Sequence, residues 1–442
     1  MIGTLDTTRR EATVVGAGIA GLLAAYALDK KGYRVTLLEE RERAGGLIQT
    51  RKTEFGIAEA AAHSLLATPT VIEFCQELGV ELTEIRPEAR ARFILRDGRL
   101  RKFPLHVGEV LSALGHAAFV RAGNHSDALN LETWGRRHLG DAALAYLLTP
   151  FVQGIYGAQP AELGVAAAFP ELAVAPGQTL LTAMLGKAFR RPAQNGHNGR
   201  GGRSSSDAHK TTKQHKRMVA PLLGMGAVTE SLERRLEQRL GTRFQRGVLV
   251  SGLPDAPNVV LATPAYAAAA LLQTEAPELS RRLREVQYTP LVSVTAFVER
   301  ASFTRPINGV GVLVPAREER KCLGILFNSS AFAGRVFDES RHASFTVLLG
   351  GSARPDWVAA TDESIAVAVR TELAGLLGIQ GEPLRLVINR WPRAIPQYST
   401  SLPEVWRSAQ ETWCAAPGRV LFGNYTGQVS LRGMIENALT ID

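Results

Sequence analysis

The first part of the chain alternates short apolar runs with a helical pattern. Ala12–Val15 is an apolar run that is typical of a buried parallel strand. A stretch rich in alanine and leucine follows it with a helical pattern, and Arg34–Leu38 predicts a second strand that leads into Glu39. The pattern therefore predicts a βαβ unit at the start of the chain.

Three glycines lie where the first strand meets the helix, in the spacing G-x-G-x-x-G: Gly16, Gly18 and Gly21. The first two let the backbone turn tightly and approach a pyrophosphate, and the third lets the helix pack closely on the strand. The helix N-terminus at Ile19 and Ala20 offers unpaired N–H groups to phosphates. Glu39 follows at the distance where a carboxylate accepts from a ribose hydroxyl. This order predicts an adenine dinucleotide site, and the alternative is a glycine-rich turn that serves packing only.

Later patterns predict a second sheet and a helical region. A short helix is expected at Val71–Leu78, and a hairpin is expected from Ala91 to Phe103 with its turn at Asp97 and Gly98. The pattern from Val107 to Phe151 is mostly helical. Further strand candidates are Val248–Leu253, Asn258–Thr263, Leu291–Val298, Gly311–Val314, Gly324–Asn328 and Ser344–Gly350. Because the strands of the middle section lack intervening helices, they predict an antiparallel sheet distinct from the parallel one.

Length and composition place the chain among globular proteins. Its 442 residues, 45% of them hydrophobic, suffice for two or three domains. No apolar run is long enough to span a bilayer, and the N-terminus does not resemble a signal peptide. The few scattered cysteines fit a reducing compartment, so we expect a cytoplasmic protein without disulfides. The histidines form no H-x-x-x-H pair, and no metal site is expected.

The formal charge of +9 is concentrated in one segment, Phe189–Arg217. Its basic residues far outnumber its single acidic residue, Asp207, and apolar residues are almost absent. Such a composition predicts a disordered surface loop. The loop is either a plain solvated insertion or a peripheral contact with the anionic inner face of a membrane. Since aromatic residues do not interleave the basic ones, no specific binding of nucleic acid is expected.

The residues after the second strand resemble a flavoprotein signature. Arg41, Arg43, Gly45 and Gly46 follow Glu39 and Glu40 and resemble the E-x-R-x-R-x-G-G pattern of FAD-binding amine oxidases, phytoene desaturases and protoporphyrinogen oxidases. Paired glycines allow a further close backbone approach to a cofactor. The resemblance implies tightly held FAD rather than exchangeable NAD, with contacts from Glu40, Arg43, Gly45 and Gly46.

Several later blocks resemble the oxygen-dependent protoporphyrinogen oxidases in particular. They cover nearly the whole chain in the family's order: Gly45–Thr50, Ala91–Pro104, Pro150–Leu172, Val259–Leu272, Arg390–Tyr398 and Gly423–Ile435. The resemblance implies an α/β protein with a doubly wound, Rossmann-like FAD-binding domain, a mixed-sheet substrate domain and a helical membrane-facing region. The implied FAD-binding domain comprises residues 1–90, 218–265 and 388–442. The implied substrate domain comprises residues 91–106 and 266–387, and the helical region comprises residues 107–217 with the basic loop at 189–217.

The resemblance also implies an activity and further site residues. The reaction would remove hydrides from protoporphyrinogen IX, with dioxygen reoxidising the flavin. No dedicated acid–base residue is expected, since hydride transfer is the chemistry of the cofactor. Arg92 matches the family's propionate-binding arginine, and a guanidinium can hold a carboxylate through paired hydrogen bonds. The remaining implied FAD contacts are Val250, Thr263, Gly423, Asn424 and Val429.

Three departures from the family pattern all concern the flavin. Ala61 and Ala62 replace a Gly-Pro pair, and Gln428 replaces a glycine. Gly433-Met434 stands where the family has Asp-Cys. Only about seven residues separate the strand candidates at Val250 and Val259, whereas a parallel crossover needs about a dozen.

Two other functions stay open, and the departures motivate the second of them. One is an enzyme that oxidises coproporphyrinogen III, whose extra carboxylates ask for more cations around the substrate. The other is a degenerate homologue that binds flavin or porphyrin without turnover. The sequence leaves the oligomeric state open, a homodimer included.

Overall fold

The computed structural model describes residues 1–123, 129–189 and 217–441. The strands are β1 (Glu11–Val15), β2 (Arg34–Leu38), β3 (Thr50–Lys52), β4 (Ile57–Glu59), β5 (Leu65–Ala67), β6 (Leu82–Glu84), β7 (Arg92–Arg96), β8 (Arg99–Arg101), β9 (Arg217–Pro221), β10 (Phe244–Gln245), β11 (Asn258–Leu261), β12 (Tyr288–Glu299), β13 (Gly311–Leu313), β14 (Cys322–Leu326), β15 (His342–Gly350), β16 (Arg385–Pro396) and β17 (Arg419–Leu421).

The α-helices of the described residues are α1 (Ile19–Lys30), α2 (Pro69–Glu77), α3 (Val107–Phe119), α4 (Leu131–Leu139), α5 (Asp141–Ala143), α6 (Thr149–Tyr156), α7 (Val165–Ala168), α8 (Leu180–Phe189), α9 (Gly226–Leu240), α10 (Ala265–Leu271), α11 (Pro277–Arg284), α12 (Asn328–Ala331), α13 (Asp362–Glu372), α14 (Leu402–Glu411) and α15 (Leu431–Leu439). None of them is both long and apolar enough to cross a membrane.

A five-stranded parallel sheet, in the order β10-β2-β1-β11-β17, carries the predicted βαβ unit. Successive residues of β1 enter two different cores, with Val14 in the core that contains α1 and Val15 in the core on the other face. Because side chains alternate across a strand, helices cover both faces of the sheet. The predicted doubly wound α/β architecture is confirmed.

The strand predicted at Val248–Leu253 is wrong. Asn258–Leu261 pairs directly with β1, and the connection from 250 is too short to place a second parallel strand in the same sheet. The short strand β10 pairs with β2 instead, and the chain then leaves the sheet. Val250 therefore lies in a half-buried segment without strand pairing.

The second sheet has seven strands in the order β16-β12-β15-β14-β13-β7-β8. All neighbours are antiparallel except β13 and β7, which run parallel, so the sheet is mixed as expected. One face is mostly apolar and packs on α13 through buried residues such as Val292, Val294 and Leu349. The opposite face is turned towards α6.

The expected domain boundary at residue 388 falls inside β16. This strand stays paired with β12 from Arg385 to Pro396, so it belongs to the mixed sheet along its whole length. The chain crosses back to the parallel sheet only beyond Pro396. The expected basic loop, apart from its ends at Phe189 and Arg217, lies outside the described residues.

Candidate functional site

The glycine loop after β1 has the geometry that the sequence predicts. Gly16 has φ +94°, which disfavours any residue with a side chain. A Cβ at Gly21 would lie 1.7 Å from the carbonyl oxygen of Gly16, so this glycine is required for the helix to pack on the loop. A Cβ at Gly18 would meet no atom within 4 Å. Gly18 therefore borders open space at the N-terminus of α1, and its lack of a side chain serves something other than packing.

The loop with Gly45 and Gly46 packs against the loop that contains Gly16 and Gly18. The N–H of Gly45 donates to the carbonyl of Ala17 at 2.8 Å. Gly45 and Gly46 have φ angles of +90° and +59°. A Cβ at Gly46 would lie 3.2 Å from the Cα of Gly18. The two loops thus form one glycine-lined groove beside the first turn of α1.

The first turn of α1 presents free backbone donors to this groove. The first intrahelical hydrogen bond runs from Leu22 to Gly18, so the N–H groups of Ile19 and Ala20 have no intrahelical acceptor. This turn contains no acidic residue. Its free N–H groups and the helix dipole favour an anion at this point.

Glu39 lies directly beside the glycine loop. One carboxylate oxygen accepts from the N–H of Ala17 at 2.6 Å, and the other accepts from the N–H of Arg41 at 3.0 Å. The carboxylate is half-buried, whereas the neighbouring Glu40 is exposed. The structure thus fixes the Glu39 carboxylate at the groove, where a ribose hydroxyl can reach it, and leaves Glu40 at its outer rim.

Arg43 braces the second glycine pair. Its guanidinium donates to the carbonyls of Ala44 at 2.6 Å and Gly46 at 2.7 Å. The side chain is exposed. Arg43 therefore shapes the loop that borders the groove, and its contact with a cofactor stays a prediction.

The remaining predicted contacts follow the carboxyl ends of neighbouring parallel strands. Thr263 comes two residues after β11, and its methyl group would lie 3.1 Å from a Cβ at Gly16. Gly423 and Asn424 follow β17, and the carbonyl of Asn424 accepts from the hydroxyl of Tyr398 at 2.6 Å. Val429 precedes α15 by two residues. The carboxyl ends of the parallel strands form one edge of the sheet, which we call the cofactor edge. These residues and the glycine groove lie at this edge, whereas Val250 does not belong to the sheet.

Two of the departures from the family pattern, Gln428 and Gly433, lie close together at the start of the last helix. Ser430 caps α15 by accepting from the N–H of Gly433. A Cβ at Gly433 would lie 2.1 Å from the side-chain oxygen of Gln428. The Gln428 amide occupies that space, so a side chain at residue 433 would require the flexible Gln428 side chain to move.

The groove fits the adenine dinucleotide that the sequence predicts. A cradle without side chains, free helix N–H groups and a fixed carboxylate meet at the carboxyl ends of β1 and β2. This combination suits a pyrophosphate flanked by a ribose.

The mixed sheet presents an unusual face next to this groove. Cross-strand pairing places half-buried apolar side chains on one face of its central strands and of β7: Leu291, Leu348, Leu326, Leu313 and Ile94. We call these five residues the slot face. Helix α6 lies across it, because Cβ atoms at Gly154 and Gly157 would contact Leu313 and Leu291. Helix α6 covers part of this face, which also carries the buried polar residues Ser293, Thr295 and Thr346. Half-exposed apolar side chains with a few polar groups among them are typical of a site for a large, mostly apolar ligand.

Arg92 lies at the far end of the slot face. It begins β7, pairs with Gly311 of β13, and shares the face that carries Ile94. Its side chain is exposed and has no ion pair or hydrogen bond with the described parts of the chain. The position leaves the guanidinium available at the rim of an apolar slot.

Arg96 has a different role from Arg92, although both lie on β7. It is buried and holds Glu109 through two hydrogen bonds of 2.6 and 2.9 Å. It also donates to the carbonyl of Pro104 and stacks 4.1 Å from the centre of the Tyr146 ring. Its hydrogen bonds lower the pKa of Glu109 to about 2. Arg96 therefore fastens the hairpin to the helical region.

A buried ion pair between Glu59 and Arg335 was not predicted from the sequence. Glu59 and Arg335 are 3% exposed each, and their charged atoms lie 3.2 Å apart. Glu59 also accepts from Thr50 and from the N–H of Met225. A signal was present, because Glu59 is the single charged residue in an otherwise apolar stretch. The pair joins the hairpin of β3 and β4 to the chain between β14 and β15.

Comparison with known proteins agrees with this geometry. The family described as flavin containing amine oxidoreductase matches residues 19–440. The chain is 26% identical to protoporphyrinogen oxidase 2, chloroplastic/mitochondrial, of Arabidopsis thaliana, over 96% of this chain and 91% of the relative. It is 28% identical to coproporphyrinogen III oxidase of Propionibacterium freudenreichii, over 89% of this chain and 82% of the relative.

Solved structures share the fold at lower identity. A structure from an Exiguobacterium species, provisionally assigned as a protoporphyrinogen oxidase, has a TM-score of 0.73 at 19% identity and covers 99% of this chain and 98% of its own. Cyclohexylamine oxidase of Brevibacterium oxydans has a TM-score of 0.69 at 16% identity and covers 98% of both chains. From the match over residues 19–440 and the groove described above, the chain belongs to the flavin-containing amine oxidoreductase family and is a flavin-dependent oxidoreductase.

Proposed function

We propose that the protein is an FAD-dependent porphyrinogen oxidase that uses dioxygen as acceptor and serves porphyrin and haem biosynthesis. Protoporphyrinogen IX and coproporphyrinogen III are the two candidate substrates. The observation that carries the proposal is the pairing of a dinucleotide groove with an apolar slot face that ends at Arg92. A porphyrinogen is a large apolar macrocycle with carboxylate arms, and this slot offers an apolar surface with a cation at its rim.

The groove supports the following proposed roles for the residues that would hold FAD. Gly16, Gly18 and Gly21 give the pyrophosphate its close approach to the backbone, while Ile19 and Ala20 donate N–H groups. Glu39 would accept from a ribose hydroxyl, and Glu40, Arg43, Gly45 and Gly46 border the same groove. Val250, Thr263, Gly423, Asn424 and Val429 complete the proposed set. When bound, the flavin supplies hydride acceptance and the passage of electrons to dioxygen.

The slot residues would orient the macrocycle and exclude water. The slot face would shield the rings of the substrate from solvent. The free energy of binding becomes more favourable in proportion to the apolar area that is buried. Arg92 would donate a pair of charge-assisted hydrogen bonds to one propionate. No side chain is assigned an acid–base role, since positioning against the cofactor suffices for hydride transfer.

Relatives named for both substrates support the reaction class without separating the two substrates. One group is named protoporphyrinogen oxidase and the other coproporphyrinogen III oxidase, at similar identity to this chain. A degenerate, non-catalytic homologue is the competing function. The intact cap of α15 weighs against it, because Ser430 accepts from the N–H of Gly433 at the start of the helix that follows Gln428.

Steady-state oxidation tests the proposed function. Purified holoenzyme mixed with protoporphyrinogen IX or coproporphyrinogen III in air should produce porphyrin fluorescence together with hydrogen peroxide. The rate should exceed that of an equal amount of heat-denatured protein with added FAD, which controls for autoxidation. Porphyrin formation no faster than in this control, with both substrates, would leave a binding protein as the better reading.

We also propose that the protein is cytoplasmic and rests on the anionic inner face of a membrane. Helices α3 and α8 pack together and expose large apolar side chains, with Val107 77%, Phe119 83% and Met184 61% exposed. The basic segment begins where α8 ends. Apolar side chains beside a basic segment suit an interfacial contact. Co-sedimentation with anionic vesicles, but not with neutral ones, is the expected result.

A further inference from the structure

A second unpaired cation lies at the opposite end of the mixed sheet. Arg393 is exposed on β16 and forms no ion pair or hydrogen bond with any residue that the structure describes. Its guanidinium carbon lies 4.3 Å from the centre of the Tyr266 ring. A guanidinium stacked on a ring is held in place while its N–H edges stay free for an acceptor. Arg393 is therefore a positioned donor without a partner.

The surrounding contacts hold this part of β16 at the cofactor edge of the parallel sheet. The indole N–H of Trp391 donates to the carbonyl of Ala60 at 2.8 Å. The hydroxyl of Tyr398 donates to the carbonyl of Asn424 at 2.6 Å, in the loop after β17. Since these two anchors flank Arg393 along the chain, this part of β16 lies beside Ala60 and the loop that follows β17.

The two free arginines bracket the slot. Trp391 pairs with Leu291 of the slot face, and β16 is one edge strand of the sheet. Arg92 lies on β7, five strands away and about five residues along the strands, which together give roughly 29 Å at the usual strand spacing and rise. That width suits a macrocycle whose carboxylate arms meet extended arginine side chains on both sides.

We propose that Arg393 binds a substrate carboxylate at the cofactor end of the slot and thereby selects coproporphyrinogen III over protoporphyrinogen IX. This inference rests on the proposed porphyrinogen oxidase function. Protoporphyrinogen IX carries its propionates on neighbouring rings, so they cannot meet Arg92 and Arg393 at once. Coproporphyrinogen III carries a propionate on every ring and can satisfy both cations. Arg393 is thus a specificity-determining residue, and Tyr266 is its platform.

Kinetics of the holoenzyme with both substrates test this assignment. Arg393→Gln should raise KM for coproporphyrinogen III about tenfold or more, the usual loss for a hydrogen bond to a charged group, and should change KM for protoporphyrinogen IX much less. Arg393→Lys should recover part of the loss, because an ammonium keeps the charge without the planar fork. Tyr266→Leu should give a smaller loss in the same direction. Arg234→Gln, which removes an exposed cation from α9, is the matched control and should change neither KM.

Three outcomes would overturn the assignment. Equal losses for both substrates in Arg393→Gln would indicate diffuse electrostatic attraction. Weaker FAD binding in this variant, measured by titrating the apoprotein with FAD, would assign the cation to the cofactor phosphates. Unchanged KM values beside an active wild-type enzyme would also refute the role of Arg393. Failure of the wild-type holoenzyme to oxidise either substrate is a different result, since it refutes the proposed function itself.

Discussion

Two alanine substitutions in one loop should separate folding from cofactor binding. A Cβ at Gly21 would lie 1.7 Å from the carbonyl oxygen of Gly16 and 2.9 Å from its carbonyl carbon. Because these are backbone atoms of a loop already at positive φ, the clash cannot be relieved by a side-chain rotation. Gly21→Ala should therefore destabilise the apoprotein by about 3 kcal/mol or more, at or beyond the upper end of overpacking costs.

Gly18→Ala should behave in the opposite way. Gly18 has φ −64°, which any residue adopts, and an added methyl would meet no protein atom within 4 Å. The unfolding free energy of the apoprotein should change by no more than about 1 kcal/mol. The methyl would enter the space that the pyrophosphate needs, so the dissociation constant for FAD should rise at least about tenfold, or about 1.4 kcal/mol.

The assay combines urea unfolding of both apoproteins with titration by FAD. Unfolding is measured without cofactor, because bound ligand stabilises the native state in proportion to its affinity. Normal FAD affinity in a stable Gly18→Ala variant would refute the placement of the pyrophosphate beside this glycine. A Gly21→Ala apoprotein as stable as wild type would refute the packing argument.

Three further predictions concern the slot, the hairpin and the basic segment. Arg92→Ala should raise KM for either porphyrinogen about tenfold to a hundredfold at unchanged flavin content, and Arg90→Ala is the control because that exposed side chain lies outside β7; equal losses in both variants would contradict the assignment. Because the folded state lowers the pKa of Glu109 from 4.5 to about 2, the pair with Arg96 should stabilise the protein above pH 4.5 and lose this contribution as the pH falls towards 2. Glu109→Gln should remove that part of the acid dependence in thermal melts, and an unchanged profile would argue against the pair. Deleting Asn195–Lys213 should leave the melting temperature nearly unchanged while weakening binding to anionic vesicles, and a large loss of stability would mean that the segment is a structured element.

Local signals in the sequence predicted the cofactor groove well. The glycine spacing, the helix and the position of Glu39 all lie within one βαβ unit, where short-range geometry decides the structure. Adjacent parallel strands then bring Thr263 and Gly423 to the same edge, as their place after apolar runs suggests. These positions at the edge of the parallel sheet follow from strand order alone.

Long-range pairing explains what the sequence did not predict. The run Val248–Leu253 is as apolar as a strand, yet Asn258–Leu261 occupies the place beside β1. Arg92 and Arg96 share one strand parity, and contacts with residues outside the hairpin, above all Glu109, give Arg96 a structural role. The roles of these segments depend on partners far along the chain, which no local pattern contains.

The side-chain coupling at the last helix is a similar case. Gln428 and Gly433 are separate departures from the family pattern when they are read along the chain. In the structure the Gln428 amide fills the space of the missing side chain at 433. Their proximity becomes visible only when both positions are placed in three dimensions.

Anaerobic reduction of the bound flavin tests the central claim most directly. Holoenzyme with an intact FAD spectrum is mixed with coproporphyrinogen III or protoporphyrinogen IX in the absence of oxygen. The proposed function predicts that the flavin absorbance bleaches with at least one substrate, and that admission of air restores it while a porphyrin spectrum develops. A flavin spectrum that stays unchanged with both porphyrinogens, in protein that retains its FAD, would contradict the claim that this chain oxidises porphyrinogens.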